Sequence, residues 1–279
     1  MLLEATRIEL YKIFARPRTY ISFGAIIVLV LGIQGAIYAD GQKLLDFTTQ
    51  NLQENFDFSG NLLNGYFTSY IILNTLWVHI PLLVALVVGD LIAGEANMGT
   101  TRFIFTRTIS RTQLLTAKFI SATIYCFLVV LFLCVSSLFS GLILFGDGDL
   151  IVLRNTINIF SADDVLWRFI AAFSFGLLAM MVVSSISFLL SAMADNSVGP
   201  IIGTMAIILA FTVFSSLDLS IFHYLRPYMF TSYMSDWRNF FDYEIDWNKI
   251  YTSITILVFH VVLLFSITLF YYHKKDIQS

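Results

Sequence analysis

Charged side chains are scarce in this sequence: Asp, Glu, Lys and Arg supply 13% of 279 residues, with a net charge of −3. Soluble domains carry about a quarter, so that class is excluded, and no basic surface is left for a nucleic-acid backbone. Only 4 prolines accompany 15 glycines, which argues against a long disordered linker. Cysteine is limited to Cys126 and Cys134, eight apart in one apolar run. On a helix that is about 12 Å of rise, beyond the reach of a disulfide, and both read as small buried apolar residues. Catalytic signatures are missing too. There is no Gly-x-x-x-x-Gly-Lys-Ser/Thr loop to cradle a nucleotide, no Gly-x-Ser-x-Gly elbow and no His-Glu-x-x-His zinc pair. The chain reads as no enzyme, without a cofactor or metal of its own.

What remains is apolar. Hydrophobic residues reach 58% and mean hydropathy is +0.80. Six stretches without Asp, Glu, Lys or Arg run near Thr19–Ala39, Tyr70–Gly89, Phe119–Phe145, Phe169–Ala194, Asn196–Leu217 and Ile250–Tyr272. Each is long enough for a hydrocarbon core of about 30 Å, which takes roughly 20 helical residues. The runs are continuous and not alternating, so they predict helices and not barrel strands. The expected fold is an all-α membrane protein of six transmembrane helices in a single domain. Residues 1–18 form an interfacial helix, 19–94 two spans with an external loop at 40–67, 95–118 a cytoplasmic segment, 119–272 four more spans and 273–279 a tail.

The interfacial helix is predicted from periodicity. Leu2, Leu3, Leu10, Ile13 and Phe14 fall in one arc of about 120° at 100° per residue, with Glu4, Arg7, Glu9, Lys12 and Arg16 mostly outside it. Pro17 ends it. The first apolar run lacks a small-residue cleavage pattern and is expected to stay in the mature chain.

Orientation follows from basic residues. With the amino end in the cytoplasm, inner segments hold Arg7, Lys12, Arg16, Arg18, Arg102, Arg107, Arg111, Lys118, Lys274 and Lys275, ten of 16. Acidic residues crowd the outer segments, so both termini are expected in the cytoplasm. Of the outer segments, the first has helical periodicity around Leu44, Phe47 and Leu52 and predicts a small helical cap. The second, Gly146 to Trp167, opens Gly-Asp-Gly-Asp and predicts a turn and a surface helix; the twelve-residue calcium-loop pattern is missing. The third, Asp218 to Lys249, interleaves aromatics such as Tyr224, Tyr228, Trp237, Phe240, Phe241 and Trp247 with charges, which predicts an interfacial belt or short re-entrant helices broken at Pro227. An aromatic carbohydrate platform is the sharper alternative.

Between the second and third apolar runs lies a polar island, Gly94 to Lys118, reading GEANMGTTRFIFTRTISRTQLLTAK. Gly94 and Gly99 predict helix ends or bends. Thr100 to Ile109 fits a short amphipathic helix with Phe103 opposite Arg102 and Arg107. Ser110 with Gln113 matches a capping box, placing a helix start at Ser110. Glu95, Gly99, Thr100, Ser110, Arg111 and Lys118 together resemble the loop between the second and third spans of type-2 ABC transporter permeases. Thr108 stands where many relatives have proline, leaving the bend less rigid.

The resemblance implies that this loop is a coupling helix seated in a groove of a separate ATPase subunit, with Glu95, Gly99, Thr100, Arg102, Phe103, Arg107, Ser110, Arg111 and Lys118 as coupling residues. It also implies an elbow-like helix before the first span and re-entrant helices between the fifth and sixth. Expected partners are two cytoplasmic ATPase subunits binding ATP and Mg, a second permease that is a copy or a related chain, and membrane lipid. Other ionisable groups leave alternatives open. Asp90 is read as pairing with Arg or Lys of the island, ahead of a proton path. His79 and His260 lie inside spans and read as satisfied core or lumen histidines, the sharper alternative being a haem or metal redox protein. A non-transporting mechanical or signalling subunit is the third reading. Pro81 is expected to kink the second span.

Overall fold

In a computed structural model that describes residues 1–53, 62–98, 110–154, 157–217 and 220–274, the first two helices are separated at Pro17. Helix α1 (Leu2–Ala15) stops at Arg16, which is extended at φ −91 and ψ 136. The following proline ring disfavours helical angles in the residue before it, yet fits the first turn of a new helix. Pro17 accordingly opens α2 (Pro17–Gln53), interrupted by non-helical backbone at Asp40. The part apolar enough to cross a membrane is Pro17–Gly41.

Two shorter helices follow, α3 (Gly65–Leu76) and α4 (Ile80–Val88), bent by 54° at their junction. Pro81 sits in the first turn of α4. It has no amide to donate to the carbonyl four residues back, and its ring crowds that carbonyl, so the kink falls where the sequence places it. After the one-turn α5 (Ala93–Asn97) comes α6 (Arg111–Phe145), begun by the predicted capping box: the amide of Gln113 donates to Ser110 Oγ at 3.2 Å and the Gln113 side chain accepts from the Ser110 amide. At its far end Gly146 adopts φ 75, a left-handed angle that favours glycine.

The predicted turn and surface helix after Gly146 is a β-hairpin instead, a departure from the all-α expectation. Strands β1 (Leu150–Leu153) and β2 (Ile157–Phe160) pair antiparallel, Leu150 opposite Phe160. In β2, Asn158 and Phe160 point inward while Ile157 and Ile159 point out. The two-residue period and β-branched Ile and Val suit a pleated, half-buried ribbon. Helices α7 (Ala162–Met193) and α8 (Val198–Ser216) complete the next two apolar runs. Between them and α11 (Trp247–Lys274) lie α9 (Ser220–Leu225), a 3-10 turn at Arg226–Tyr228, α10 (Phe230–Met234) and a second 3-10 stretch at Ser235–Phe241.

Five helices are long and apolar enough to span a bilayer, or up to six when the bent α3–α4 pair counts as one. Helix α7 is the centre: 67% of its most apolar stretch is buried, against 17–33% for the other four. The surrounding helices carry exposed Val28, Leu31, Phe139, Ile143, Ile202, Phe259 and Phe270. Apolar surface of that extent is tolerated in lipid, not in water, and marks a multi-pass membrane protein. Inside, contacts are close and partly polar. A Cβ on Gly65 would lie 2.6 Å from the Leu142 amide nitrogen, so glycine is what lets α3 meet α6. Nearby, Gln34 Nε2 and Ser69 Oγ both donate to the Ser137 carbonyl, at 3.2 and 3.0 Å.

The aromatic segment divides into two groups. Trp237 and Phe241 are fully buried and pack on Tyr70, Trp77 and Phe169. Tyr224, Tyr228, Tyr243 and Trp247 stay exposed. Arg168 of α7 staples the segment, its Nη1 donating to the carbonyls of Phe240 at 2.7 Å and Asp242 at 3.1 Å.

Candidate functional site

Helix α1 turns a different face to the protein from its apolar arc. Ala5, Thr6, Glu9 and Ile13 are buried while Leu3 is 82% exposed. At 100° per residue the buried face is rotated about 70° from the arc's centre. The expectation that left Glu9 outside is corrected: a carboxylate belongs on the inward face because its cations wait there.

Those cations form a closed ring with two acids. Glu9 accepts from Lys12 Nζ at 2.6 Å through Oε1 and from Lys118 Nζ at 2.7 Å through Oε2. Glu95 does the same, with Lys12 at 2.8 Å and Lys118 at 2.9 Å. Signs alternate around the ring and sum to zero. Lys118, 2% exposed, gives its third hydrogen to the Leu91 carbonyl at 3.1 Å, so no polar hydrogen is buried unpaired. Burial alone pushes the Glu95 carboxyl up, but the Lys118 and Lys12 ammoniums outweigh it and hold Glu95 below the usual carboxylate range. Burial pushes Lys12 down, but Glu95 and Glu9 outweigh it and raise it above an ordinary lysine. Ser121 Oγ donates to the Thr6 carbonyl at 3.1 Å, a further tie between α1 and α6.

A second cluster lies one turn away. Arg16 Nη1 donates to the Asp90 carboxylate and, at 3.2 Å, to its carbonyl; Arg18 Nη1 lies 2.9 Å from Oδ1. Ser197 donates to the same carboxylate from the start of α8. Among the described residues Asp90 is paired with the α1–α2 junction, and the island's Lys118 is committed to the ring; Arg102 and Arg107 lie outside the described residues. Gly94 lies within α5 and makes no bend; a side chain there would run into the Asp90 carboxylate. Ser191 Oγ accepts the Ile92 and Ala93 amides at 3.1 and 3.0 Å, pinning this turn to α7.

Of the expected coupling residues, the structure brings Glu95 and Lys118 together and places Ser110 and Arg111 at the start of α6. Gly99, Thr100, Arg102, Phe103 and Arg107, with the predicted short helix at 100–109, lie outside the described residues. His79 is exposed, its Nδ1 3.1 Å from the Thr75 carbonyl. His260 sets Nδ1 2.8 Å from the Ile256 carbonyl and Nε2 3.2 Å from that of Tyr228. Among the described residues no cluster of three His, Cys, Asp or Glu side chains is placed to hold a metal. Cys126 is buried and Cys134 half-buried, both free thiols.

Residue-by-residue reading missed Glu9, Lys12, Arg16 and Arg18 as partners. The signal was present in Lys118, a cation at the mouth of an apolar run that must find counter-charge.

Comparison with known proteins gives a curated relative, the uncharacterized protein YhcI of Bacillus subtilis (strain 168), 24% identical over 172 residues. The match covers 50% of this chain and 55% of the relative, so the chain spans about half the length of the protein it resembles. The profile of a family described as protein of unknown function (DUF2705) matches residues 23–278. Extending from the first span to the last, that match makes the chain a member of the DUF2705 family.

Proposed function

We propose that the chain is the permease subunit of an ATP-driven exporter, with six spans, both termini in the cytoplasm, a second permease beside it and two cytoplasmic ATPase subunits below. The observation that carries this reading is the charge ring. Glu95 and Lys118 lie at or beside the two ends of the island, and the ring binds them to α1 at 2.8 and 2.7 Å. A segment anchored at both ends transmits displacement, whereas a slack loop absorbs it. One end continues into the kinked α3–α4 pair and the other into α6, so force on 99–109 reaches the two helices that meet at Gly65 and Gly141. Nucleotide-driven closure of the ATPases would tilt these helices and open a path between the permeases. The coupling needed is about 1–3 kcal/mol.

The test is purification from native membranes through a carboxy-terminal tag. An ATP-hydrolysing subunit is expected to accompany the chain. Arg107→Glu with Arg111→Glu is expected to insert equally well and to lose that companion, or to retain it while ATP hydrolysis no longer responds to the permease. Labelling of positions 100 to 112 from outside the cell, or a pure complex devoid of ATPase, would overturn the reading.

A further inference from the structure

At the end of the bundle remote from the charge ring, a cavity of about 350 Å³ opens between the middle and last turn of α3, the hairpin and the second 3-10 stretch. Tyr70, Ile71, Asn74, Leu153, Arg154 and Arg238 line it. The two guanidiniums are held differently. Arg154 Nη1 donates to the Arg238 carbonyl at 3.1 Å and to Asp242 Oδ1 at 2.8 Å, which fixes its fork at the rim. Arg238 rests on the Trp237 ring, 5.6 Å from its centroid. Its Nε is sealed from solvent with no hydrogen-bond partner, and no carboxylate lies within ion-pair distance of it among the described residues. Among the described residues one carboxylate faces two arginines, which gives the cleft a net positive charge.

The guanidinium of Arg238 has no ion pair or side-chain hydrogen bond among the described residues, so the N–H groups it presents to the cleft are open to an acceptor. Two arginine forks in one cleft suit a tetrahedral oxyanion, which each can engage through paired N–H groups. We propose that this cavity binds a phosphate group, with Arg238 as its main contact and Arg154 as the second. Ile71, Leu153 and the Tyr70 ring give the same cleft an apolar side for the carbon skeleton of an organic phosphate. Its volume falls in the range of small-ligand pockets. Exposed Tyr224, Tyr228, Tyr243 and Trp247 at this end of the bundle are the residue types that settle at headgroup depth. A lipid phosphodiester is therefore one source of the ligand and a soluble phosphomonoester the other. The site is independent of the permease reading, since it lies away from the island and uses none of its residues.

The experiment uses the full-length chain, delipidated in a neutral detergent. Thermal unfolding and native mass spectrometry follow titration with short-chain phosphatidylglycerol, short-chain phosphatidylcholine, glycerol phosphate and inorganic phosphate. Binding of phosphatidylglycerol with no response to the soluble anions assigns the site to lipid. A response to glycerol phosphate or inorganic phosphate assigns it to a soluble ligand. Arg238→Gln removes a charge that holds no ion pair and is expected to keep the fold while weakening binding about tenfold. Lys43→Gln, an exposed charge paired with Asp40, is the control and is expected to change nothing. No binding of any phosphate, or equal binding by Arg238→Gln and the parent, overturns the proposal.

Discussion

Lys118 offers three ammonium hydrogens and finds three acceptors, on Glu9, Glu95 and the Leu91 carbonyl. Replacing it with alanine leaves two buried carboxylates sharing Lys12, and loss of one member of a buried pair costs about 3–5 kcal/mol. Lys118→Met is expected to lower the unfolding temperature sharply, and Lys118→Met with Glu9→Gln to recover much of the loss, because the double variant again matches one acid with one base. A double variant less stable than the single would show that Glu9 is held by something else. The pH response has a definite sign. Glu95 is held below its ordinary value of 4.5, so its contribution is complete above pH 4.5 and is lost as pH falls through the folded value. Lys12 is raised above 10.5, so its contribution is complete below pH 10.5 and is lost as pH rises through the folded value. Spin labels on exposed Tyr11 and Thr112 should report one narrow distance between these limits and a broad one in acid. A distance unchanged after Glu95 has protonated, as read from its carboxyl infrared band, would remove the ring as the clasp of α1.

Among the elements, those set by local chemistry were legible in sequence. The capping box at Ser110, the kink at Pro81 and the stop at Pro17 each arise from one residue's donors, acceptors or ring, and need no distant partner to be foreseen. The hairpin escaped because its signal is four alternating positions, Ile157 to Phe160, beside an acidic turn that reads equally well as a helix start. The aromatic segment was legible as short helices but not in its division, since nothing local separates Trp237, which fills the core, from Trp247, which faces outward. Buried charge pairs were the least legible, because several of their partners lie far apart in the chain, at separations of 74, 83 and 109 residues. Close helix packing yields a prediction at this scale. On Gly65 a Cβ would meet backbone atoms of Gly141 and Leu142 that cannot rotate away, so Gly65→Ala must part α3 from α6 and should cost about 1–3 kcal/mol. Gly32→Ala, with open space around it, should be neutral in the same thermal unfolding measurement.

For the molecule as a whole, polarity is sorted to the two ends of an apolar bundle. One end carries the four-membered charge ring and the Asp90 cluster, and the other a cleft lined by two arginines among aromatics. An α1 that merely floated in the headgroups would be free of the bundle; here it is docked along α6. Cysteines at Thr6 and Ser121, in a background lacking Cys126 and Cys134, are expected to form an oxidative cross-link in membranes, read as a mobility shift after cleavage between α2 and α6. Absence of the link alongside normal insertion would place α1 away from the bundle. The clasp also has a temporal meaning. Synthesis runs from the amino end, so Glu9 and Lys12 are made before Glu95 and Lys118, the partners that complete their ring. The ring therefore cannot close until synthesis has passed Lys118, so α1 docks only after the start of its partner helix has been made.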